Sequence, residues 1–266
     1  MKQQNLCLIR EYLKRAEQLR IQPNFFMSEA YLILMDVEGV KNDFWIWIAT
    51  EDGCLLPPLP LYGKESLWFP NITDIWACFP VNNEGYKLMA GKQEFLDYQY
   101  IFDPKAFQSM VGGKWETFRK NCRKVLKNDP EVQYLSEPLD ESEVPMFIGN
   151  WLERKEETVE DGLFLADFAF LSNNEHIGRK FLYLDGKLAA INAWDSNYMY
   201  INYRVCMCDE TVPYISEFAR FKFYQQWWYS NVLVNDGGCL GLASLEKFKD
   251  KMNPIEKIPI YTLNLK

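Results

Sequence analysis

The sequence predicts a mixed α+β protein in which two similar halves each form a twisted mixed sheet flanked by helices. Pairs of apolar runs are separated by Asp52-Gly53 and by Asp185-Gly186, and an Asp-Gly pair tolerates the positive φ of a tight hairpin turn. Amphipathic helical patterns accompany both hairpins. Because the hairpins occupy comparable places in the two halves, the sequence indicates an internal duplication.

In the N-terminal half, the pattern predicts a helix, a hairpin, a helix and a strand in that order. Leu6, Ile9, Leu13 and Ala16 fall on one side of a helix over 6–20, as the 3.6-residue period requires. The elements that follow are a hairpin over 44–59, a helix over 84–96 and a strand over 97–102.

In the C-terminal half, the predicted elements begin with a helix over 144–157 that carries Pro145 in its first turn. A proline is well placed there because the first-turn N–H has no helical partner. The remaining elements are a hairpin over 180–194, a strand over 198–207, a helix over 212–230 and a final strand over 231–235.

A basic helical stretch over 113–127 joins the two halves. The predicted organisation is therefore a first domain over 1–112, a linker helix over 113–129 and a second domain over 130–266.

Composition limits the class of protein. The 266 residues are 48% hydrophobic and 16% aromatic, which excludes a disordered chain and predicts an aromatic-rich core. The net charge of −8 argues against bulk DNA binding and against binding to anionic membranes, since both depend on a basic surface.

The apolar runs and the cysteines favour a soluble, cytoplasmic protein. No apolar run reaches the length of about 18 residues that a membrane span needs, and residues 1–15 do not resemble a signal peptide. Seven cysteines are scattered without a Cys-x-x-Cys pair, a pattern typical of reduced thiols rather than of disulfides or a zinc site. We therefore expect no membrane span and no bound metal.

The stretch NDGGCLGLASLEKFKDKMNP, residues 235–254, resembles the C-terminal signature of the phosphatidylglycerol lysyltransferase C-terminal-domain family. The positions that match at the family's spacing are Asn235, Gly237, Leu240, Gly241, Leu245, Lys249 and Pro254. A second stretch, 97–127, looks like the family's Tyr-x-Tyr, Gly-Lys and Arg-rich linker helix. The order helix, hairpin, strand, helix, strand is also that of the GNAT acyltransferase core.

This resemblance implies a fold and a reaction class. It implies tandem GNAT-like domains that transfer an acyl or aminoacyl group to an amine-bearing acceptor, as in the related Fem-type aminoacyltransferases. Three positions depart from the family pattern, with Cys239 in place of an acid, Ser244 in place of a glycine and Glu246 in place of an arginine. These departures leave open the alternative of a non-catalytic binding module on a degenerate GNAT fold.

The candidate catalytic residues are Asn235, Asp236 and Tyr203. In a GNAT-like second half, the strands over 200–205 and 232–236 would splay apart, placing Asn235 and Asp236 at the mouth of the cleft. Gly237 and Gly238 would let backbone amides approach a ligand. Strand alternation puts Tyr203 and Arg204 on opposite faces, so at most one of them should enter the cleft. The alternative is structural: Asn235 and the two glycines build a turn that Asp236 caps, and Tyr203 packs in the core.

The candidate residues for binding donor phosphates are Lys114, Arg119, Lys120, Arg123 and Lys249. Between 114 and 127 six basic residues face a single acid, Glu116, which is unusual in an acidic chain. Basic side chains grouped on a helix can hold the phosphates of an acyl-CoA or of a tRNA acceptor end. The alternative is an ordinary solvated helix face.

The loop CDETVPY, residues 208–214, separates the two possible donors. Pyrophosphate binding at a helix start needs exposed backbone amides and usually glycines, whereas this loop has no glycine, two acids and one proline. The sequence therefore predicts aminoacyl-tRNA as co-substrate in preference to acyl-CoA, and no tightly bound cofactor.

Overall fold

The computed structural model describes residues 3–50, 53–62, 74–78, 92–154, 159–170 and 175–264. The helices in this part of the chain are α1 (Gln3–Gln18), α2 (Glu29–Leu34), α3 (Pro104–Ser109), α4 (Glu116–Asn128), α5 (Glu143–Glu153), α6 (Val159–Phe170), α7 (Ile215–Gln225) and α8 (Ala243–Lys251). The strands are β1 (Glu38–Lys41), β2 (Trp45–Thr50), β3 (Gly53–Pro60), β4 (Asp74–Cys78), β5 (Lys92–Phe102), β6 (Val132–Leu135), β7 (Gly178–Leu184), β8 (Lys187–Ser196), β9 (Tyr200–Cys208), β10 (Leu233–Asn235) and β11 (Glu256–Asn264).

The strands form one sheet in the order β1-β2-β3-β4-β11-β5-β10-β9-β8-β7-β6. The mixed α+β prediction is confirmed, but the expectation of a separate sheet in each half is wrong, because β5 and β11 join the strands of both halves. Along β1 to β4 the pairings are antiparallel, antiparallel and parallel. The same series recurs along β7 to β10. The strand that follows each series along the chain lies beside the other series, because β5 pairs with β10 and β11 pairs with β4. Strand order therefore supports the internal duplication, while the domain boundaries stay a prediction.

Most predicted elements are present. The turn of the β7–β8 hairpin has positive φ at both Asp185 (47°) and Gly186 (77°), as a two-residue Asp-Gly turn requires. The linker helix, the helix before β10 and the strand over 200–208 also form where they are expected. In the N-terminal hairpin, Gly53 opens β3 and pairs with Thr50, while Asp52 lies outside the described residues.

Two predictions are wrong. Residues 92–96 belong to β5 rather than to a helix, because nine positions of β11 pair with this strand; residues 84–91 lie outside the described chain. The strand at 233–235 is also not the final one, since α8 and β11 follow it. Pro259 argues against a central strand at β11, because proline cannot donate a backbone hydrogen bond. It is tolerated here because it pairs only with Tyr98 on the β5 side, and pairing with β4 begins at Tyr261 in the described chain.

Helices cover both faces of the C-terminal part of the sheet. Leu182 and Leu184 of β7 face α4 and α7, whereas Phe181 and Tyr183 face α5 and α6. Helix α7 connects β9 to β10, and its Phe223 stacks on Tyr203 of β9 with ring centroids 3.9 Å apart. This packing fixes α7 against the strands that form the candidate site. Within the described chain, no helix combines the length and apolarity needed to cross a membrane.

Candidate functional site: a cleft between β9 and β10

Strands β9 and β10 splay apart after a short parallel pairing. They pair at three positions, the last joining Asn235 to Asn202. The chain after β10 then stays on β5, because the Asp236 N–H donates to the Tyr100 carbonyl (2.9 Å) and the Tyr100 N–H donates to the Gly237 carbonyl (3.2 Å). Strand β9 continues without β10 to Cys208. The predicted splay is confirmed, and it opens a cleft along one edge of β9.

A β-bulge lies in β9 at the mouth of this cleft. Tyr203 is opposite Trp194 of β8 and Val205 is opposite Ala193, so Arg204 is an extra residue. Tyr203 packs in the cluster under α7, while Arg204 packs on Phe25 of the loop before α2. Both side chains nevertheless line the cavity. The prediction that at most one of them enters is wrong, because it assumed regular alternation.

The cleft encloses a cavity of about 560 Å³, a volume in the range of small-molecule sites. The loop before α2, β9, α7, the segment after β10 and α8 form most of its wall. The aromatic side chains in the wall are Phe25, Phe26, Tyr31, Trp151, Phe164 and Phe248. The polar and thiol side chains are Tyr203, Arg204, Cys206, Cys208, Glu210, Ser216, Arg220, Asp236, Ser244 and Lys249.

Asp236 forms the centre of a buried charged cluster in this wall. One carboxylate oxygen accepts hydrogen bonds from Arg220 Nε (3.3 Å) and the Tyr224 hydroxyl (3.2 Å). Its other oxygen lies 3.2 Å from Lys249 Nζ. Two cations therefore contact one anion, and the carboxylate is held in a fixed orientation toward α7 and α8.

Lys249 is buried and clamps the loop that follows β10. Its ammonium donates to the carbonyls of Asp236, Gly237 (3.3 Å) and Gly238 (2.7 Å). Burial lowers the pKa of Lys249, and the Asp236 carboxylate only partly offsets this effect. These contacts direct the ammonium inward and favour a structural role, so phosphate binding by Lys249 stays a prediction that the geometry does not favour.

Asn235 and the two glycines shape the same loop. The Asn235 side chain donates to Gln99 (2.9 Å) and accepts from the Gly237 N–H (3.0 Å), and it does not line the cavity. Gly237 has a φ of +62°, which favours glycine, and a Cβ on Gly238 would lie 2.2 Å from the Asp97 carboxylate. The close approach that glycine permits is therefore to the protein's own side chains.

The Asp97 side chain accepts hydrogen bonds from the backbone amides that follow these glycines. One of its carboxylate oxygens accepts from the N–H groups of Cys239 (2.6 Å) and Leu240 (2.9 Å). The expectation that the amides of this loop face a ligand is wrong for these two, because a carboxylate from β5 takes their hydrogen bonds.

Two thiols face the cavity beside Arg220. The sulfur atoms of Cys206 and Cys208 are 3.6 Å apart. The pKa of Cys206 is lowered to about 7 by its contact with Cys208 and by the Arg220 guanidinium, although burial acts in the opposite direction. Burial raises the pKa of Tyr203 well above its ordinary value, so its phenol stays protonated at neutral pH and donates to Asn192 Oδ1 (2.5 Å).

The basic residues of the linker lie outside the cavity, and one of them contacts the start of α7. Lys124 donates to the Tyr214 hydroxyl (3.0 Å), and Ser216 in the first turn of that helix lines the cavity. A separate surface depression is lined by α4 side chains that include Arg119, Lys120 and Arg123. Arg119 also donates to the Met110 and Gly112 carbonyls, and Lys114 lies in the 3-10 turn before α4.

The structure thus brings part of the predicted site together. Asp236, Tyr203 and Lys249 line one cavity, whereas Asn235 and the basic residues Lys114, Arg119, Lys120 and Arg123 do not. Sequence reasoning missed Arg220, although an arginine within the apolar pattern of α7 was a usable signal. The wall residues Phe25 and Tyr31 could not be assigned to the site from the sequence, because they lie far along the chain from the other wall residues.

Solved structures resemble this fold over nearly its whole length. A conserved protein of unknown function from Bacteroides thetaiotaomicron is 15% identical, with a TM-score of 0.70 over 96% of this chain and 97% of that chain. The C-terminal domain of a protein assigned as a lysylphosphatidylglycerol synthetase from Agrobacterium fabrum is 14% identical, with a TM-score of 0.59 over 97% and 93%. This chain shares that domain's fold.

A second lysylphosphatidylglycerol synthetase structure, from Bacillus licheniformis, is 14% identical, with a TM-score of 0.58 over 93% of this chain and 91% of that chain. The resemblance that residues 235–254 indicated is therefore confirmed at the level of fold. No protein-family model and no curated protein sequence matches the chain.

Proposed function

We propose that this protein transfers an acyl or aminoacyl group to an amine, on tandem GNAT-like halves of which the second carries the site. The observation that carries the proposal is the bulged, splayed end of β9. Beyond Asn202 the edge of β9 has no strand partner on the β10 side in the described chain. Backbone N–H groups at such an edge can stabilise the oxyanion that develops when an amine attacks an ester or thioester.

Aminoacyl-tRNA is the preferred donor in this proposal. At the start of α7, Tyr214 takes a left-handed φ of 66° without a side-chain cap, Pro213 lacks an N–H, and Glu210 faces the cavity. This surface suits a pyrophosphate poorly. The basic face of α4 adjoins the same turn through Lys124, and we assign it, rather than Lys249, to the donor phosphates.

The wall residues mainly position the reactants. Asp236 holds Arg220 and Lys249 in place, and the protonated Tyr203 helps to fix the bulge through Asn192. Aminolysis of an activated ester is accelerated mostly by orientation and by donors aimed at the oxyanion. The roles that we assign to Asp236 and Tyr203 are therefore electrostatic and orienting, and Asn235 shapes the adjoining turn.

The proposal is tested by incubating the protein with a panel of radiolabelled aminoacyl-tRNAs and acyl-CoAs in the presence of amine acceptors. We expect an amide product from aminoacyl-tRNA, and we expect Asp236→Asn to reduce its rate at least about tenfold by weakening the hold on Arg220 and Lys249. Asp250→Asn, on the exposed side of α8, is the matched control and should retain the rate. Transfer from acyl-CoA alone would contradict the donor assignment.

A non-catalytic binding module is the second candidate. It is favoured by the internal contacts of the signature loop, where Asp97 takes two backbone amides and Lys249 is directed at three carbonyls. Absence of transfer from every donor, together with a thermal shift caused by a bound small molecule or protein, would favour this candidate.

A further inference from the structure

Arg204 is a buried arginine whose hydrogen bonds are incomplete. Its Nε and Nη2 atoms donate to the two oxygens of Asp195, at 3.0 and 3.2 Å. The same Nη2 also contacts the Ser28 hydroxyl at 3.0 Å. Its Nη1 atom has no partner, although the side chain is only 1% exposed. A buried, unsatisfied cationic donor costs free energy unless a ligand supplies an acceptor.

The guanidinium is held rigidly at the cavity wall. Its central carbon lies 3.9 Å from the ring centroid of Phe25 and 4.7 Å from that of Tyr31. Asp195 is fixed in turn by Asn202 (2.8 Å) and Ser28 (2.5 Å). Stacking and two-point pairing together leave little freedom for rotation, so the guanidinium keeps one position, and Arg204 is one of the residues that line the cavity.

The charges on the other side chains of the wall are paired or lie at exposed positions. Asp236 is paired with Arg220 and Lys249, and Glu210 is exposed at the rim. Among the described residues of the wall, only Arg204 has a buried side-chain nitrogen or oxygen without a partner. A cationic ligand group would therefore meet a hydrogen-bond donor of like charge, whereas an anionic oxygen would meet a complementary one.

We infer that the cavity binds the carboxylate of a small ligand with an apolar body, with the carboxylate seated on Arg204 Nη1 and the body against the aromatic wall. This inference rests on the proposed function, in which that ligand is the transferred group or the acceptor. It implies that the substrate portion inside the cavity is not basic, and hence that a lysyl group is a poor occupant.

The test uses three compounds of one shape: 3-phenylpropanoate, 3-phenylpropanamide and 3-phenylpropylammonium. Isothermal titration of the full chain should show the carboxylate binding at least about tenfold more tightly than the amide, the scale of a charged hydrogen bond, with the ammonium weakest. Equal binding of carboxylate and amide, preferred binding of the ammonium, or binding of none of them would overturn the inference.

Two substitutions show which residue causes the preference for the carboxylate over the amide. Arg204→Lys keeps a cation beside Asp195 but removes Nη1, so the ratio of carboxylate to amide affinity should fall toward one. Arg179→Lys changes a half-buried arginine outside the cavity and should leave the ratio unchanged. A ratio unaffected by Arg204→Lys would overturn the assignment to Arg204.

If Arg204→Lys does not fold, the guanidinium resonances of ¹⁵N-labelled wild-type protein replace it. The Arg204 Nη signals should shift with 3-phenylpropanoate and not with 3-phenylpropanamide, and no shift would contradict the inference. Faster transfer of a lysyl group than of a neutral or acidic aminoacyl group would overturn this inference while confirming the proposed function. The two proposals can therefore fail separately.

Discussion

At the scale of single residues, the predicted role and the observed position differ most at Lys249. In the sequence it alternates with Lys247 and Lys251, and such a basic stretch predicts an ammonium that is solvated or binds phosphate. The structure instead buries it between Asp236 and three backbone carbonyls. Spacing singled out Lys249 but could not show its burial, because the carbonyls belong to a loop whose path depends on β5.

Lys249→Met should therefore lower protein stability rather than weaken a surface contact. The change removes one partner of a buried ion pair and leaves loop carbonyls without a donor, so the free energy of unfolding should fall by about 3–5 kcal/mol. Urea denaturation followed by circular dichroism measures this difference. Lys247→Met, at an exposed position of the same helix, is the control, and an equal effect at both positions would contradict the buried role.

At the scale of secondary-structure elements, strong local patterns predicted the right elements, whereas pairings between distant strands could not be predicted from the sequence. The β7–β8 hairpin, α4, α7 and the splay of β10 from β9 follow from periodicity, turn residues and the family signature. The helix expected over 84–96 is a strand in its described part, since β11 pairs with β5 from a distant position in the chain. The bulge at Arg204 likewise depends on register with β8, which alternation alone cannot reveal.

The loop between β10 and α8 offers a prediction at this scale. A Cβ on Gly238 would lie 2.2 Å from Asp97 Oδ2 and 3.2 Å from the Tyr98 carbonyl, so Gly238→Ala must displace either the Asp97 carboxylate, which accepts from two amides of the loop, or the loop itself. We expect a loss of about 1–3 kcal/mol in the free energy of unfolding, as for other overpacked sites, measured by urea denaturation.

Gly149→Ala is the matched control, since nothing lies within 4 Å of its added Cβ and alanine favours a helix interior by about 1 kcal/mol. Stabilisation by both substitutions would mean that Asp97 does not constrain the loop.

At the scale of the whole molecule, the exchange of β5 and β11 joins the two halves into one sheet. Ile260 of β11 packs in the N-terminal core with α1, whereas Ile258 packs with Ile101 and Tyr200 beside β10. A chain truncated after Asn253 should therefore lose cooperative unfolding of both halves, because a strand is removed from between β4 and β5. Circular dichroism and thermal unfolding measure this loss, and a retained native transition would contradict it.

A chain ending at Asn264 keeps β11 and serves as the control for that truncation. If cooperative unfolding depends on β11, this control should unfold in one transition with the same midpoint temperature as the full chain.

The position of β11 also bears on synthesis at the ribosome. Translation makes β4 and β5 well before β11, the last of the described strands in chain order, so their facing edges emerge from the exit tunnel without the strand that separates them. Unpaired edges of this kind template pairing with other chains. Nascent chains of this protein should therefore engage chaperones until β11 emerges, and the central sheet should assemble only after that.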